Sequence, residues 1–259
     1  MTSATAQGLQ HQGVSDAARC PPLTTFEAWR KAPLPVDLSP TQTVKFLTAL
    51  SRNNEKAWFD AHRAEYDAFF IEPAKTFVEA MAAPLKKLDA KLQAQPRVNG
   101  SILRINRDVR FSKDKTPYKD HLDLWFWSGA KKGWDSSGFF FRLTPTKLLL
   151  GAGMHGFVPP VLAQYRQNVL SDKRGAELAK LAAKLQKKGY SLGGETYKKT
   201  PQGVPADHPR AALLKHSGLH CGWEGKHPKE LGSARLVNFV IERFADVTPL
   251  HLWLAGMST

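Results

Sequence analysis

Residues Arg104 to Trp127 read RINRDVRFSKDKTPYKDHLDLWFW, and two patterns meet in them. From Lys119 to Trp127 the side chains alternate. Leu122, Leu124 and Phe126 point one way, and His121, Asp123, Trp125 and Trp127 the other. A period of two belongs to a strand, so this stretch is predicted to be a sheet strand with two unlike faces, its leucines and Phe126 turned against helices. The other pattern, Arg104 to His121, sets Arg104, Arg107, Arg110, Lys113, Lys115 and Lys119 among Asp108, Asp114 and Asp120, with Phe111 and Tyr118 between them. Its spacing is not helical, and Thr116-Pro117 stops any helix there. Such a run is a network of ion pairs on a loop, a ligand cradle, or both.

Working outward, Gly138–Leu143 and Leu148–Met154 also read as strands, and Thr144-Pro145-Thr146 suits a hairpin turn between them. Ile102–Ile105 is predicted to begin a further strand. The connections are short, so the strands should pair antiparallel. Before them the period is helical. Ser39-Pro40 is a cap and first-turn pair, followed by Val44, Leu47 and Leu50 on one face. A second helix carries Trp58, Phe59, His62, Tyr66, Phe69 and Phe70; His62 in that stripe fits a core-edge imidazole better than a catalytic one. A third opens at Pro73, with Phe77, Met81, Leu85, Leu88 and Leu92, and Pro84 should bend or split it. After the strands come helices around Leu162–Val169 and Leu178–Leu185, turns over 189–209, a helix near Ser233–Ala245, and a short closing helix from Pro249 through Leu254. Helices, then antiparallel strands, then helices argue for an α+β fold. The expectation is one domain over 39–259, a central antiparallel sheet packed by N-terminal and C-terminal helices.

Residues 1–38 are rich in Ala, Gln, Ser, Thr and Pro and read as a disordered lead-in, with Phe26 and Trp29 able to dock as an isolated patch. Arg19, Arg30 and Lys31 there balance Asp16, Glu27 and Asp37, so the net charge of +14 belongs to the rest of the chain. A surface of that sign attracts phosphorylated metabolites, nucleic acid or acidic lipid. Cys20 and Cys221 are the only cysteines, too few for a disulfide framework or a Cys-type zinc site. With no continuous apolar window of membrane length and no secretory leader pattern, the cytosol is the expected compartment.

No P-loop, Rossmann, HExxH or GxSxG pattern is present. Asp108, Asp114, Asp120 and Asp123 cluster around His121, as in metal-dependent nucleases. Arg and Lys flank Asp108 and Asp114, which favours internal pairing over metal capture. The cations are the better candidates, because arginine forks suit phosphate and carboxylate, and Arg107 and Arg110 stand out among them. Trp125, Trp127 and Trp134 are of the type that stacks on bases, although aromatics at period two are more often core.

Several segments carry a family resemblance: Asn53-Asn54 with Trp58-Phe59, the run RDVRFSKDKTPYK from Arg107 to Lys119, YKKTPQG from Tyr197 to Gly203, and Asp207-His208-Pro209 followed by Leu213-Leu214-Lys215. The chain resembles the conserved hypothetical family catalogued as domain of unknown function 2461, found in bacteria and fungi, from Ser39 to Leu254. The resemblance implies a single α+β domain and carries over no activity, cofactor or catalytic residue.

Three functional readings follow. The chain binds an anionic ligand, nucleic acid or a phosphorylated small molecule, through Arg104–His121. Alternatively it is a hydrolase-type enzyme using Asp108, Asp114, Tyr118 or His121 on a phosphoester or acyl substrate. Or the run is an internal ion-pair hub in an interaction protein. The lead-in offers too little apolar area to offset chain ordering, so deleting residues 1–36 should move the melting temperature by a few degrees at most, measured by thermal unfolding of both forms.

Overall fold

Proline at the first position of a helix loses no hydrogen bond, because that N–H has no intrahelical partner in any case. In the computed structural model, which describes residues 40–130, 133 and 136–257, Pro40 starts α1 (Pro40–Arg52). The lead-in over residues 1–38, the Ser39 cap, the docking of Phe26 and Trp29, Cys20 and Trp134 all lie outside the described residues. The buried side of α1 is Thr43, Phe46, Leu47 and Leu50, so Phe46 and not Val44 completes the stripe.

The second expected helix is divided into α2 (Lys56–Ala61), α3 (Arg63–Tyr66) and a π turn at Asp67–Ile71. The buried Thr43 hydroxyl donates to the Phe69 carbonyl at 2.6 Å within that π turn. Phe46 gathers Trp58, Tyr66 and Phe70 at ring-centroid distances of 6.0 to 6.2 Å, which binds α1 to the broken segment. His62 stacks on Trp58 at 4.0 Å, and its Nδ1 pairs with the Trp58 carbonyl at 2.8 Å. α4 (Glu72–Leu88) passes through Pro84 without a break. One missing backbone donor is outweighed by a buried row of Phe77, Val78, Met81 and Leu85.

Five strands follow: β1 (Leu122–Trp127), β2 (Gly138–Leu143), β3 (Lys147–Met154), β4 (Ser191–Glu195) and β5 (His216–Lys226). They form one antiparallel sheet in the order β1-β2-β3-β5-β4. Between them lie α5 (Pro159–Leu170), α6 (Asp172–Lys187) and α7 (Ala211–Leu214), and the chain closes with α8 (Arg235–Ala255). One sheet face meets helices. Phe77 of α4 touches Phe141, Phe244 of α8 touches Phe126 and Phe139, and Phe239 of α8 touches Trp223. The α+β class, the central antiparallel sheet and the packing by N-terminal and C-terminal helices are thus all present.

Four local expectations are corrected. All six residues of β1 are buried, so both of its faces are covered. Residues 102–105 form no strand; they run beside β1 through isolated contacts, with Leu103 N–H donating to Asp123 O and Trp125 N–H to Ser101 O. β4 and β5 were not anticipated. α8 continues through Pro249, where a break was expected, because Val247, Leu250, His251 and Leu254 prolong its buried stripe.

His251 in that stripe is completely buried. Its Nε2 lies 3.1 Å from Asp89 Oδ2 and its Nδ1 2.8 Å from Ser137 Oγ. With Nε2–H donating to the carboxylate, Nδ1 accepts from the serine hydroxyl. Asp89 is further held by Ser128 Oγ at 2.7 Å and Lys91 N–H at 2.8 Å. The network pins the end of β1, the start of β2 and the C-terminal end of α4 to α8. Burial holds the His251 pKa below its ordinary value of 6.5, against the opposing pull of Asp89. The unfolded chain therefore binds more protons on this residue as pH falls below that value, and its contribution to stability is complete above about 6.5 and declines below it. His251→Ala should cost roughly 3 kcal/mol at neutral pH, leaving the Ser137 hydroxyl without its acceptor and Asp89 with one donor fewer beside a cavity, and should flatten the stability loss between pH 7 and 5. Urea unfolding at both pH values checks it.

Candidate functional site

The charged run is an irregular excursion with a paired stem. Arg107 N–H donates to Pro117 O at 2.9 Å and Lys119 N–H to Ile105 O at 2.8 Å, so 105–107 runs antiparallel to 117–119. The stem is then clamped to the helices. Asn54 Nδ2 donates to Tyr118 O at 2.9 Å, and Tyr118 N–H donates to Asn54 Oδ1 at 3.1 Å. One side-chain amide thus serves as a one-residue strand partner. The buried Tyr118 ring stacks on Phe59 at 4.2 Å. Backbone and side chain of one residue fix where the loop leaves the core.

Within the loop the acidic residues fold inward onto their neighbours. Asp114 Oδ2 receives Arg107 at 2.5 Å, while its Oδ1 receives the Thr116 N–H at 3.0 Å and the Thr116 hydroxyl at 2.9 Å. Arg107 also donates to the Thr116 carbonyl. Those two threonine bonds and the Arg107 guanidinium hold the Asp114 carboxyl at about 2. Asp108 accepts the Arg110 fork at 3.0 and 2.7 Å, and that side-chain bond, followed by the Arg110 N–H, lowers its pKa. Lys115 Nζ donates to Val109 O at 2.9 Å. Lys113 is exposed.

A cleft of about 660 Å³ lies between this loop and the end of α1. Of the residues singled out in the sequence, Arg104, Arg107, Lys119, Asp108, Asp114, Asp120, Tyr118 and His121 line it; Arg110, Lys113 and Lys115 lie outside the lining. Arg104 is exposed and makes no hydrogen bond or salt bridge among the described residues, although it is near enough to Asp108 to lower that carboxyl further. Among the described residues the cleft therefore offers one guanidinium without a hydrogen-bonded partner, beside Asp108 and Asp114, which are bonded within the loop, and Asp120, which pairs with His121 Nδ1 at 2.9 Å.

At the root of the run sits Asp123, whose side chain is 9% exposed. It takes Arg142 Nε at 2.6 Å and Nη2 at 3.2 Å, Lys119 Nζ at 3.2 Å and His121 Nε2 at 3.3 Å. Burial alone would raise its pKa, and the bonds from His121 and Arg142 override that and hold it far below the usual carboxylate range. The sequence reading placed Asp123 in an acidic cluster and did not find Arg142. The signal was available, since Asp123 and Arg142 are direct cross-strand partners once β1 and β2 are paired. Asn54 was noticed only as part of a motif.

The paired carboxylates of this loop are poorly suited to transferring protons. Carboxylates held at or below about 2, as Asp114 is, are poor general acids and bases at neutral pH. Among the described residues no group of three or more His, Cys, Asp or Glu is placed to hold a metal ion, and no helix is long and apolar enough to cross a membrane.

A family model described as a conserved hypothetical protein (DUF2461) matches residues 42–253. That span is most of the chain, and the chain belongs to this family. Comparison with curated proteins finds no match.

The Asp123 network makes a prediction. Asp123→Asn should destabilise by roughly 3 kcal/mol at neutral pH, because Arg142 and Lys119 lose a buried counter-charge, and Leu124→Asp should be comparably harmful since both faces of β1 are buried. Because the folded pKa lies below the ordinary 3.8, the stability due to Asp123 is present above that value and is lost as pH falls beneath it. Denaturant titrations from pH 7 to 3 should show that acid-side loss in the wild type and less of it in Asp123→Asn.

Proposed function

We propose that this family member binds a phosphate-bearing anion in the cleft between α1 and the 104–121 loop. The observation that supports this most is Arg104, exposed in the cleft with no hydrogen-bonded or salt-bridged partner among the described residues, while Asp108 and Asp114 are each saturated by their own loop. An approaching phosphate meets a free planar fork and does not have to displace an internal carboxylate from it. Lys119 lines the same cleft at its inner end, held by Asp123 in a fixed position. The overall charge of +14 adds long-range attraction for such a ligand.

A second reading, the ion-pair hub, is favoured by Arg107. Its guanidinium spans Asp114 and Thr116 and closes the loop on itself. The two readings divide the arginines: Arg107 and Arg110 shape the loop, and Arg104 meets the ligand. Inorganic polyphosphate is a suitable probe because it carries phosphate and nothing else. Arg104→Ala should weaken its binding and lower the log–log salt slope by roughly 0.7, with the melting temperature unchanged. Arg107→Ala should lower the melting temperature by up to about 4 °C, as expected when an exposed pair is lost from a domain of this size. Wild-type protein that shows no salt-sensitive polyphosphate binding would leave the hub reading alone.

A further inference from the structure

The sheet face turned away from α4 and α8 has an unusual floor. In register across it lie Gly138 of β2, Gly151 and Gly153 of β3, Gly222 of β5 and Gly193 of β4. Glycine weakens a strand, and in strand interiors it marks places where something must approach the backbone closely. Here backbone carbonyls of Phe126, Cys221 and Leu219 come close at Gly138, Gly151 and Gly153, and aromatic rings come close at four of the five. A methyl added at Gly138 would stand 2.7 Å from the Trp125 indole, and one at Gly222 would stand 3.1 Å from Phe140 Cζ. The Phe140 ring also occupies the space above Gly151, and His220 that above Gly193 and Gly153. The Phe140 ring therefore lies close on glycine backbone, with its outer side on a shallow groove.

That groove measures about 650 Å³. Phe140 and Leu149 line it half-buried, so their outer surfaces face the open space. Lys119 and Arg142 stand at one end and His155 and His220 at the other. The one carboxylate in its lining, Asp123, is covered by Lys119, His121 and Arg142. Lys119 also lines the cleft that holds Arg104. Aromatic floor and Arg104 cleft are thus two parts of one surface joined at a single lysine.

From this juxtaposition we propose that the ligand is single-stranded nucleic acid, with a base stacked on Phe140 across the glycine floor and the adjoining phosphate in the Arg104 cleft. The inference rests on the anion-binding reading above and adds to it the part of the ligand that carries no charge. The occupant follows from complementarity. A flat π surface bordered by cations matches a chain that alternates planar bases and phosphates, and stacking of this kind is tolerant of sequence. A duplex keeps its base faces covered and cannot use the floor.

The test compares three probes on the full chain: a short single-stranded oligonucleotide of mixed sequence, its duplex, and inorganic polyphosphate. Wild-type protein should prefer the single strand to both of the others. Phe140→Ala should weaken single-strand binding by about tenfold, the loss of one stacked base, and leave polyphosphate binding as it was. Phe140→Leu keeps an apolar side chain over Gly151 without the π face, and should show the same loss should the alanine variant unfold. Equal wild-type affinity for oligonucleotide and polyphosphate, or a folded Phe140 variant that binds the single strand normally, overturns this inference while the anion site stands. Failure of the wild type to bind any of the three removes both.

Discussion

A carboxylate buried in a strand must be met by cations and hydrogen-bond donors, and much of this molecule's chemistry is arranged to meet that demand. Asp123 satisfies it with Lys119 and His121 from the end of the charged run and with Arg142 from the neighbouring strand. Desolvation of one anion in water-poor surroundings costs several kcal/mol, so these three partners are held in place as firmly as the strand itself. The run therefore does not hang from the sheet at a flexible joint. Its last turn is fastened to β1 and β2 by charge, and its stem is fastened to α2 by the stacking of Tyr118 on Phe59. Asn54 closes the remaining backbone gap.

Rigid anchoring at both ends is what would let one loop serve as a structural hub and as the ligand site proposed above. An arginine already bonded to aspartate and threonine spends its donors on shape, as Arg107 does. An arginine left over by that arrangement is held on a fixed backbone with its donors unspent, as Arg104 is. Preorganisation of this sort lowers the entropy lost on binding. The signs alternate along the run for the same reason: each Asp organises the cation near it, so the net positive charge is displayed from a fixed frame.

The parts of this architecture that follow short-range rules were legible in the sequence. Alternation identified β1, β2 and β3, and the three-and-four spacing identified the helices on either side. The run RDVRFSKDKTPYK carried the family. What escaped were features decided by tertiary context. Pro84 and Pro249 each remove one helical hydrogen bond, and local rules break a helix there; buried rows on both sides hold α4 and α8 together instead. The second face of β1 reads as polar through His121 and Asp123, yet it is covered because residues 101–103 run along its edge and the charges neutralise one another. His251 lay in no motif at all; its partners Asp89 and Ser137 are 162 and 114 residues away in sequence.

β5 is the most instructive omission. His216–Lys226 reads HSGLHCGWEGK, and its glycines and polar residues dilute the period that marks a strand. Leu219, Cys221 and Trp223 do alternate, and they pair with Met154, Ala152 and Leu150 on the helix-packed face. The residues between them, His220, Gly222 and Glu224, pair with Gly153, Gly151 and Leu149 on the other face, where no helix rings are packed. A face with a helix on it needs large apolar side chains at every second position, and a strand of that sheet then announces itself. A face kept low for flat-lying rings needs glycine there instead, and the strand becomes hard to read. The same substitution of glycine for bulk that hid β5 from pattern reading is what lets Phe140 lie against the backbone of Gly222 and Gly151 with a groove beside it. Poor legibility in this strand is thus a physical consequence of the open face.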